Sequence, residues 1–100
     1  MTQLVYLPSF RGDLEQIWLH IAQDNMVAAD RLIVELWERC QVLAEHPQAG
    51  IGRADIAPDC RQLVLGGYSV LYRIQGSRIE LVRLLHGRRK LKSELYRPDQ

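Results

Sequence analysis

Arginine is the residue type in this 100-residue chain with the clearest capacity to bind a charged partner. The chain contains eleven arginines, and several lie on or beside predicted strands, namely Arg61, Arg73, Arg83, Arg88 and Arg89. A guanidinium group grips a phosphate or a carboxylate through two parallel hydrogen bonds. The pattern therefore fits a surface that holds a polyanion or an acidic protein. Alternatively, these arginines are simply solvated or paired with an acidic residue such as Glu80.

The sequence offers little for covalent or hydrolytic chemistry. No GxSxG, GxxxxGK[ST], HExxH or GxGxxG motif occurs. Cys60 and His86 could meet at a sheet, but a single cysteine and histidine without a local signature favour no mechanism. His20, His46 and His86 are too far apart in sequence for a local metal-binding motif. We therefore predict neither a metal nor another cofactor.

Acidic and basic side chains are unevenly distributed, although the net charge is only +1. Residues 1–45 carry seven acidic and three basic side chains, and residues 46–100 carry five acidic and ten basic ones. Near the end only Glu94 and Asp99 oppose a basic set, which is Arg83, Arg88, Arg89, Lys90, Lys92 and Arg97. Such a run fits a solvated, solubilising end. It equally fits a contact surface for phosphates or for an acidic partner.

Cysteine spacing and hydropathy indicate the cellular compartment of the protein. Cys40 and Cys60 have neither CxxC nor zinc-finger spacing, so two buried or half-buried thiols are expected rather than a disulfide. No apolar run approaches the roughly 20 residues of a membrane-spanning helix. Residues 1–8 lack the basic region and the long apolar stretch of a signal peptide. We predict a cytoplasmic protein without membrane contact.

The first half of the chain predicts one strand and two helices. Residues 2–7 form a short apolar run closed by Pro8, which is typical of a strand. Ser9 is a suitable N-cap for a first helix, whose apolar side chains recur at helical spacing: Phe10, Leu14, Ile17, Trp18 and Ile21. Asn25 is a suitable N-cap for a second helix running to about Glu45. The short break between the helices predicts a hairpin.

The second half predicts a loop and three strands. Residues 46–59 contain two prolines and two glycines and are predicted to be a loop. Strand character follows in residues 61–65, 68–74 and 79–85. Gly66-Gly67 is predicted to be a turn with positive φ at both positions.

The predicted fold is one α+β domain over residues 1–100, in the order β-α-α-β-β-β. We expect an antiparallel sheet with the helical hairpin packed on one face. Residues 88–100 are predicted to form a basic C-terminal tail, with a short helical turn through Leu91 and Leu95.

Several segments together resemble the ParE branch of the ParE/RelE superfamily of toxins. The first helix and the last strand carry the clearest likeness, and the latter ends in the HGxR pattern at His86-Gly87-Arg88-Arg89. The matching pieces, in order, are residues 13–22, 28–32 and 43–47, Gly50, Gly52-Arg53, Asp55-Ile56, Arg61, 68–73 and 79–89. The resemblance covers residues 2 to about 91.

The resemblance implies the toxin of a type II toxin–antitoxin system, neutralised by a ParD-like antitoxin. It implies a heteromeric complex, heterotetrameric or larger, which contacts operator DNA through the antitoxin. ParE relatives cause growth arrest and plasmid stabilisation by inhibiting DNA gyrase, and they are not catalysts. RelE relatives share the fold but cut messenger RNA on the ribosome. A non-toxic assembly module is a third possibility.

The two branches imply different site residues. A RelE-like nuclease implies a set of four side chains, Arg61, His86, Arg89 and Tyr96. The loop of residues 46–59 contains no lysine and only Arg53 as a basic residue, which favours the ParE branch. We therefore predict a gyrase inhibitor without catalytic residues.

Two contact surfaces are predicted. The antitoxin is expected to lay a helical or extended segment on the helical hairpin and the sheet edge, against Trp18, Ile21, Leu36 and Trp37, with Arg61 and Arg73 as polar anchors. Core packing is the alternative for both tryptophans. The target is expected to contact the end of the last strand and the tail, through Arg83, His86, Arg88, Arg89, Lys90 and Lys92.

Overall fold

A computed structural model describes residues 2–87 and 91–98. Its elements are, in chain order, the strand β1 (Gln3–Tyr6), the helices α1 (Pro8–Ala22), α2 (Met26–Cys40) and α3 (Val42–Glu45), and the strands β2 (Ile51–Gly52), β3 (Arg61–Leu65), β4 (Tyr68–Gln75) and β5 (Arg78–His86), followed by a 3-10 turn (Ser93–Leu95). The predicted α+β class is confirmed, as is the order of the two long helices and the four longer strands.

The strands form one five-stranded sheet in the order β1-β5-β4-β3-β2. The three long strands β3, β4 and β5 form the predicted antiparallel meander. The predicted antiparallel sheet is extended by β1, which runs parallel to β5 with Gln3 opposite Arg78, so the observed sheet is mixed. The edge strand β2 lies inside the predicted loop. Two residues are too few to produce a periodic signal.

The start of α1 differs from the prediction. Pro8 is the first helical residue, a position where the missing N–H of proline has no cost. The predicted N-cap at Ser9 is wrong, since its hydroxyl donates instead to the Val82 carbonyl of β5 at 2.6 Å. Ser9 thus ties α1 to the sheet.

The predicted start of α2 is confirmed and its predicted end is not. The Asn25 side-chain oxygen accepts a hydrogen bond from the Ala28 N–H at 3.0 Å, as an N-cap does. The helix ends at Cys40 rather than near Glu45, and α3 follows as a separate turn. Among the described residues no helix is both long and apolar enough to cross a membrane.

Two-residue turns join β3 to β4 and β4 to β5. The first residue of each turn has a positive φ, 61° at both Gly66 and Gly76. Gly67 has no positive φ, so the prediction of two such positions is wrong.

Buried side chains cover both faces of the sheet. On the helix face, α1, α2 and α3 pack on the strands in a cluster of Phe10, Leu36, Cys40, Leu43, Leu65, Val70, Tyr72, Ile79, Leu81 and Leu84. On the tail face, the loop before β3 and the segment after β5 cover a second cluster of Ile56, Cys60, Leu71, Val82, Leu85 and Tyr96. Burial on both faces accounts for the nearly continuous apolar run of β5.

Candidate functional site

Arg61, at the start of β3, holds the loop that precedes β2. Its Nη2 atom donates to the carbonyls of Gly50 at 2.6 Å and Gln48 at 3.2 Å. Beside it, the Tyr72 hydroxyl accepts from the Gly50 N–H at 2.9 Å and donates to the Pro47 carbonyl at 2.8 Å. This predicted antitoxin anchor therefore stabilises the protein's own loop.

Arg73, the second predicted anchor, belongs to an ionic network on the tail face. Its Nε donates to Glu80 at 2.6 Å, and its Nη1 lies 3.4 Å from Asp59. Arg78 also contacts Glu80, at 3.2 Å. The Tyr96 hydroxyl donates to the other Asp59 oxygen at 3.0 Å. Burial, and then the bonded Asp59 carboxylate, raise the pKa of Tyr96 well above its usual value, so the hydroxyl keeps its proton at neutral pH.

Arg83, predicted to contact the target, makes a two-pronged ion pair with Asp13 of α1. Its Nε and Nη2 lie 2.7 and 2.9 Å from the two carboxylate oxygens. Asp13 also accepts from the Leu84 N–H at 2.9 Å. The third nitrogen of Arg83 donates to the Leu95 carbonyl at 3.0 Å. Arg83 thus joins α1, β5 and the C-terminal segment.

An apolar groove of about 340 Å³ opens between β1, α1 and α2. Its walls are Tyr6, Phe10, Leu14, Ile33, Val34, Leu36, Trp37 and Cys40. Trp37 is 54% exposed, whereas Leu36 is 3% exposed and belongs to the core. The structure brings these two predicted antitoxin contacts together, with Trp37 offering accessible surface and Leu36 lying beneath it. The sequence prediction missed the other six members of the groove, although two of them, Phe10 and Leu14, stood in the predicted apolar stripe of the first helix.

Ile21 and His86 line a second groove, of about 480 Å³. The Tyr68 ring forms part of it and lies 4.8 Å from the His86 ring, centre to centre. Ile21 is a predicted antitoxin contact and His86 a predicted target contact. The structure therefore places members of both predicted surfaces in one depression.

The remaining predicted site residues are dispersed. The Trp18 indole N–H donates to Asp30 at 2.8 Å and so ties α1 to α2. Lys92 is exposed after β5. Arg88, Arg89 and Lys90 lie outside the described residues. The predicted target surface is thus described only at its margins.

The comparison with known sequences decides the family. Residues 4–91 match the sequence model of the family described as ParE toxin of type II toxin–antitoxin system, parDE. The chain belongs to the ParE toxin family. This ParE-family chain is 31% identical to Toxin ParE3 of Caulobacter vibrioides over 88 residues, which are 84% of this chain and 85% of that relative. It is 35% identical to Toxin ParE1 of the same organism over 78 residues, 76% of this chain and 79% of the relative.

A solved structure confirms the ParE-like fold. The chain resembles one from the chromosomal ParDE TA system of P. aeruginosa, with a TM-score of 0.76 and 23% identity, over 87% of this chain and 97% of that one. The predicted resemblance to ParE toxins is therefore confirmed, and the chain is a ParE-type toxin of a type II toxin–antitoxin system.

Both thiols of this ParE toxin are free and buried, as predicted, one on each face of the sheet. Burial raises the pKa of Cys40 from its usual 9.0 to about 11. Burial, and then the nearby Asp59 carboxylate, raise the pKa of Cys60 to about 11 as well. A thiol of this kind is a poor nucleophile at neutral pH.

We expect the melting temperature to be constant from neutral pH to about pH 9 and to fall between pH 9 and 11. In the unfolded chain the thiols lose protons near 9.0, whereas in the folded chain they hold them to about 11. Each shift of about two units corresponds to at most about 3 kcal/mol of stability, lost as pH rises through the folded pKa. Thermal unfolding monitored against pH measures the loss. The Cys40→Ala, Cys60→Ala double variant should show a shallower alkaline fall, and parallel curves would contradict the assignment.

Proposed function

We propose that this ParE-family chain acts in the cytoplasm as a gyrase inhibitor that a ParD-like antitoxin neutralises, rather than as a nuclease. One observation carries the proposal. The described side chains of the nuclease alternative, Arg61, His86 and Tyr96, are apart from one another, and Arg61 and Tyr96 are hydrogen-bonded within the fold. In the same proposal the antitoxin carries the complex to operator DNA.

The separation follows from the strand register. Arg61 lies opposite Tyr72, and His86 lies opposite Tyr68. Four residues along β4 span roughly 13 Å. Tyr96 lies in the tail-face cluster, with its hydroxyl engaged by Asp59. General acid–base catalysis needs its groups within hydrogen-bond reach of one reacting centre, so this arrangement supports a binding function.

The proposed gyrase-binding surface is the basic region after β5. His86 and Lys92 are exposed on either side of the segment that holds Arg88, Arg89 and Lys90. A cluster of like charges attracts an acidic protein surface or bound DNA over several ångströms. Arg83 binds the last strand to α1 through Asp13 and to the C-terminal segment through the Leu95 carbonyl.

A supercoiling assay tests the proposal. Antitoxin-free protein titrated into DNA gyrase is expected to abolish supercoiling and to accumulate cleaved DNA. The Arg88→Ala, Arg89→Ala double variant should need about tenfold more protein for the same effect, because it removes two charges from the contact. The matched control is Arg31→Ala, Arg39→Ala, which removes two exposed helix charges elsewhere.

Other outcomes of that titration separate the alternatives. A folded wild type that leaves gyrase unaffected but cleaves messenger RNA on translating ribosomes would establish the nuclease. A folded wild type with neither effect would favour the non-toxic assembly module.

The apolar groove is the proposed binding site for the antitoxin. Its walls present apolar side chains, and Trp37 stands half exposed at its rim. An amphipathic helix places successive apolar residues into such a groove. Exposed tryptophans are frequent sources of binding energy at interfaces.

Trp37→Glu is expected to weaken antitoxin binding by about 10- to 100-fold, since it sets a charge against an apolar helix face. The melting temperature of the free toxin should change little, because Trp37 is 54% exposed. Isothermal titration with the antitoxin measures the effect. Val27→Glu is the control, because Val27 is 65% exposed on the same helix but lies outside the groove. Equal affinities for the two variants would place the antitoxin elsewhere.

A further inference from the structure

The Arg61 guanidinium has donors that the fold does not use. Only its Nη2 atom makes hydrogen bonds within residues 2–87 and 91–98, to the carbonyls of Gln48 and Gly50. Its Nε atom is buried and has no acceptor. A buried donor without an acceptor is costly and rare in native proteins. The hydrogen-bonding capacity of the Arg61 guanidinium is therefore not fully used in the free toxin.

The charge of Arg61 is also unmatched. Arg53 is paired with Asp55, Arg83 with Asp13, and Arg73 with Glu80 and Asp59. Arg61 has no carboxylate within 4.0 Å among the described residues. These three arginines thus have counter-ions within the described fold, and Arg61 has none there.

A cavity of about 400 Å³ lies beside this arginine, at the end of the sheet where β3 begins and β4 ends. Arg53, Asp59 and Arg61 contribute its charged walls. Each nitrogen of the Arg53 guanidinium already has an acceptor, in Asp55 or in the Gln62 side chain. Both oxygens of Asp59 are engaged, by Tyr96 and Arg73. Among the described residues, Arg61 is therefore the charged wall residue with guanidinium nitrogens, Nε and Nη1, that have no acceptor.

We propose that this cavity receives the carboxylate of one acidic side chain of the antitoxin, with Arg61 as its specificity-determining anchor. The inference rests on the proposed neutralisation by an antitoxin and adds the chemistry of a second contact, distinct from the apolar groove. An arginine matches the two oxygens of a carboxylate. The ligand supplies the missing counter-charge.

The local charges favour a single carboxylate over a nucleic-acid backbone. Arg53 is matched by Asp55, and Asp59 is matched by Arg73, so that Arg61 alone is left without a counter-ion in the described part of this region. A polyanion needs a run of uncompensated cations, whereas one spare positive charge suits one carboxylate.

A single antitoxin segment can reach both contacts. Ten residues in extended conformation span roughly 33 Å. The whole toxin measures 39 × 30 × 23 Å along its principal axes. A helix in the apolar groove followed by a short extended stretch therefore suffices to bring an acidic residue to Arg61.

The test combines titration calorimetry with NMR on the full-length toxin and its purified cognate antitoxin. Arg61→Met is expected to weaken binding by about 30-fold or more, because it removes one partner of the proposed ion pair and leaves the antitoxin carboxylate unpaired. Arg61→Lys should lie between Arg61→Met and wild type, since it keeps the charge but not the planar fork. Arg78→Met is the control, because Arg78 is half exposed and its partner Glu80 keeps Arg73.

Two readouts keep the test independent of folding. Each acidic residue of the antitoxin is replaced by its amide, and one of them should show at least fivefold coupling to Arg61→Lys in a double-mutant cycle. In wild-type toxin the Arg61 Nε–H resonance should move downfield when the antitoxin is added, as its guanidinium gains an acceptor. That readout needs no variant with an altered loop.

The failures are distinguishable. Wild-type toxin that does not bind the antitoxin overturns the proposed function, and this inference with it. A different set of results overturns the carboxylate site alone. In that case the wild type binds tightly, both Arg61 variants lose less than twofold in affinity, no acidic residue shows coupling, and the Nε–H resonance does not move. A resonance that moves with a single-stranded RNA oligonucleotide but not with the antitoxin also overturns it, and assigns the cavity to phosphate.

Discussion

Replacing Gly50 with alanine is expected to destabilise the toxin by about 3 kcal/mol. A Cβ atom at this position would lie 2.6 Å from the Gln62 carbonyl oxygen and 2.7 Å from the Tyr72 ring. Neither neighbour can yield, because one is sheet backbone and the other is a buried ring held by two hydrogen bonds. For a domain of this size the loss corresponds to about 12–24 °C in melting temperature, measured by calorimetry or circular dichroism.

Gly52→Ala is the matched control for Gly50→Ala. It lies two residues away in β2, and an added Cβ would meet nothing within 4 Å. Its melting temperature should stay within a few degrees of wild type. Adding Tyr72→Phe to Gly50→Ala should not rescue the protein, because the Gln62 carbonyl remains in place. Similar stabilities for the two alanine variants would show that the loop before β2 moves freely.

Asp13→Ala is expected to lower the free energy of unfolding by about 3 kcal/mol, because it leaves the Arg83 guanidinium and the Leu84 N–H without this acceptor. Both side chains of this pair are shielded, with 18% and 19% of their surfaces exposed. Three hydrogen bonds converge on the single carboxylate. Chemical denaturation of the free toxin measures the difference.

The Glu35–Arg39 pair of α2 provides the control for Asp13→Ala. It is about half exposed on both sides, at 3.5 Å, and such pairs contribute less than about 1 kcal/mol. Glu35→Ala should therefore be nearly neutral, and an equal loss in both variants would contradict the argument. The same contacts affect any study of toxicity. An Arg83 variant that fails to inhibit its target has to be compared at matched stability, since Arg83 also holds α1 and the C-terminal segment.

Local patterns predicted the long elements well. The period of apolar residues gave both helices and β3 to β5, and Asn25 was recognised as a cap because capping depends on neighbouring residues alone. The features that were predicted wrongly or not at all depend on contacts between residues far apart in sequence. Neither the two residues of β2 nor the parallel pairing of β1 with β5 leaves a local pattern, and the Ser9 hydroxyl finds its acceptor in Val82.

The candidate site was predicted less completely, for the same reason. Residue type marked Trp37 and Arg61 as binding candidates, but only the fold shows that one is accessible and the other has unused donors. Arg73 and Arg83 looked equivalent to Arg61 in sequence. Their counter-ions, Glu80 and Asp13, become visible only when β5 is placed beside β4 and α1.

The position of β1 beside β5 has a consequence for synthesis. During translation β1 and both long helices leave the ribosome before β5 exists, so β1 has no strand to join until residues 78–81 appear. The acceptor of the Ser9 hydroxyl and the partner of Asp13 arrive with the same strand. A nascent chain that stalls before this point lacks the strand that joins β1 to the rest of the sheet, and its helices lack the apolar cover that β5 provides. An antitoxin present during synthesis would therefore find the surfaces of the helical hairpin available before the basic end has been made.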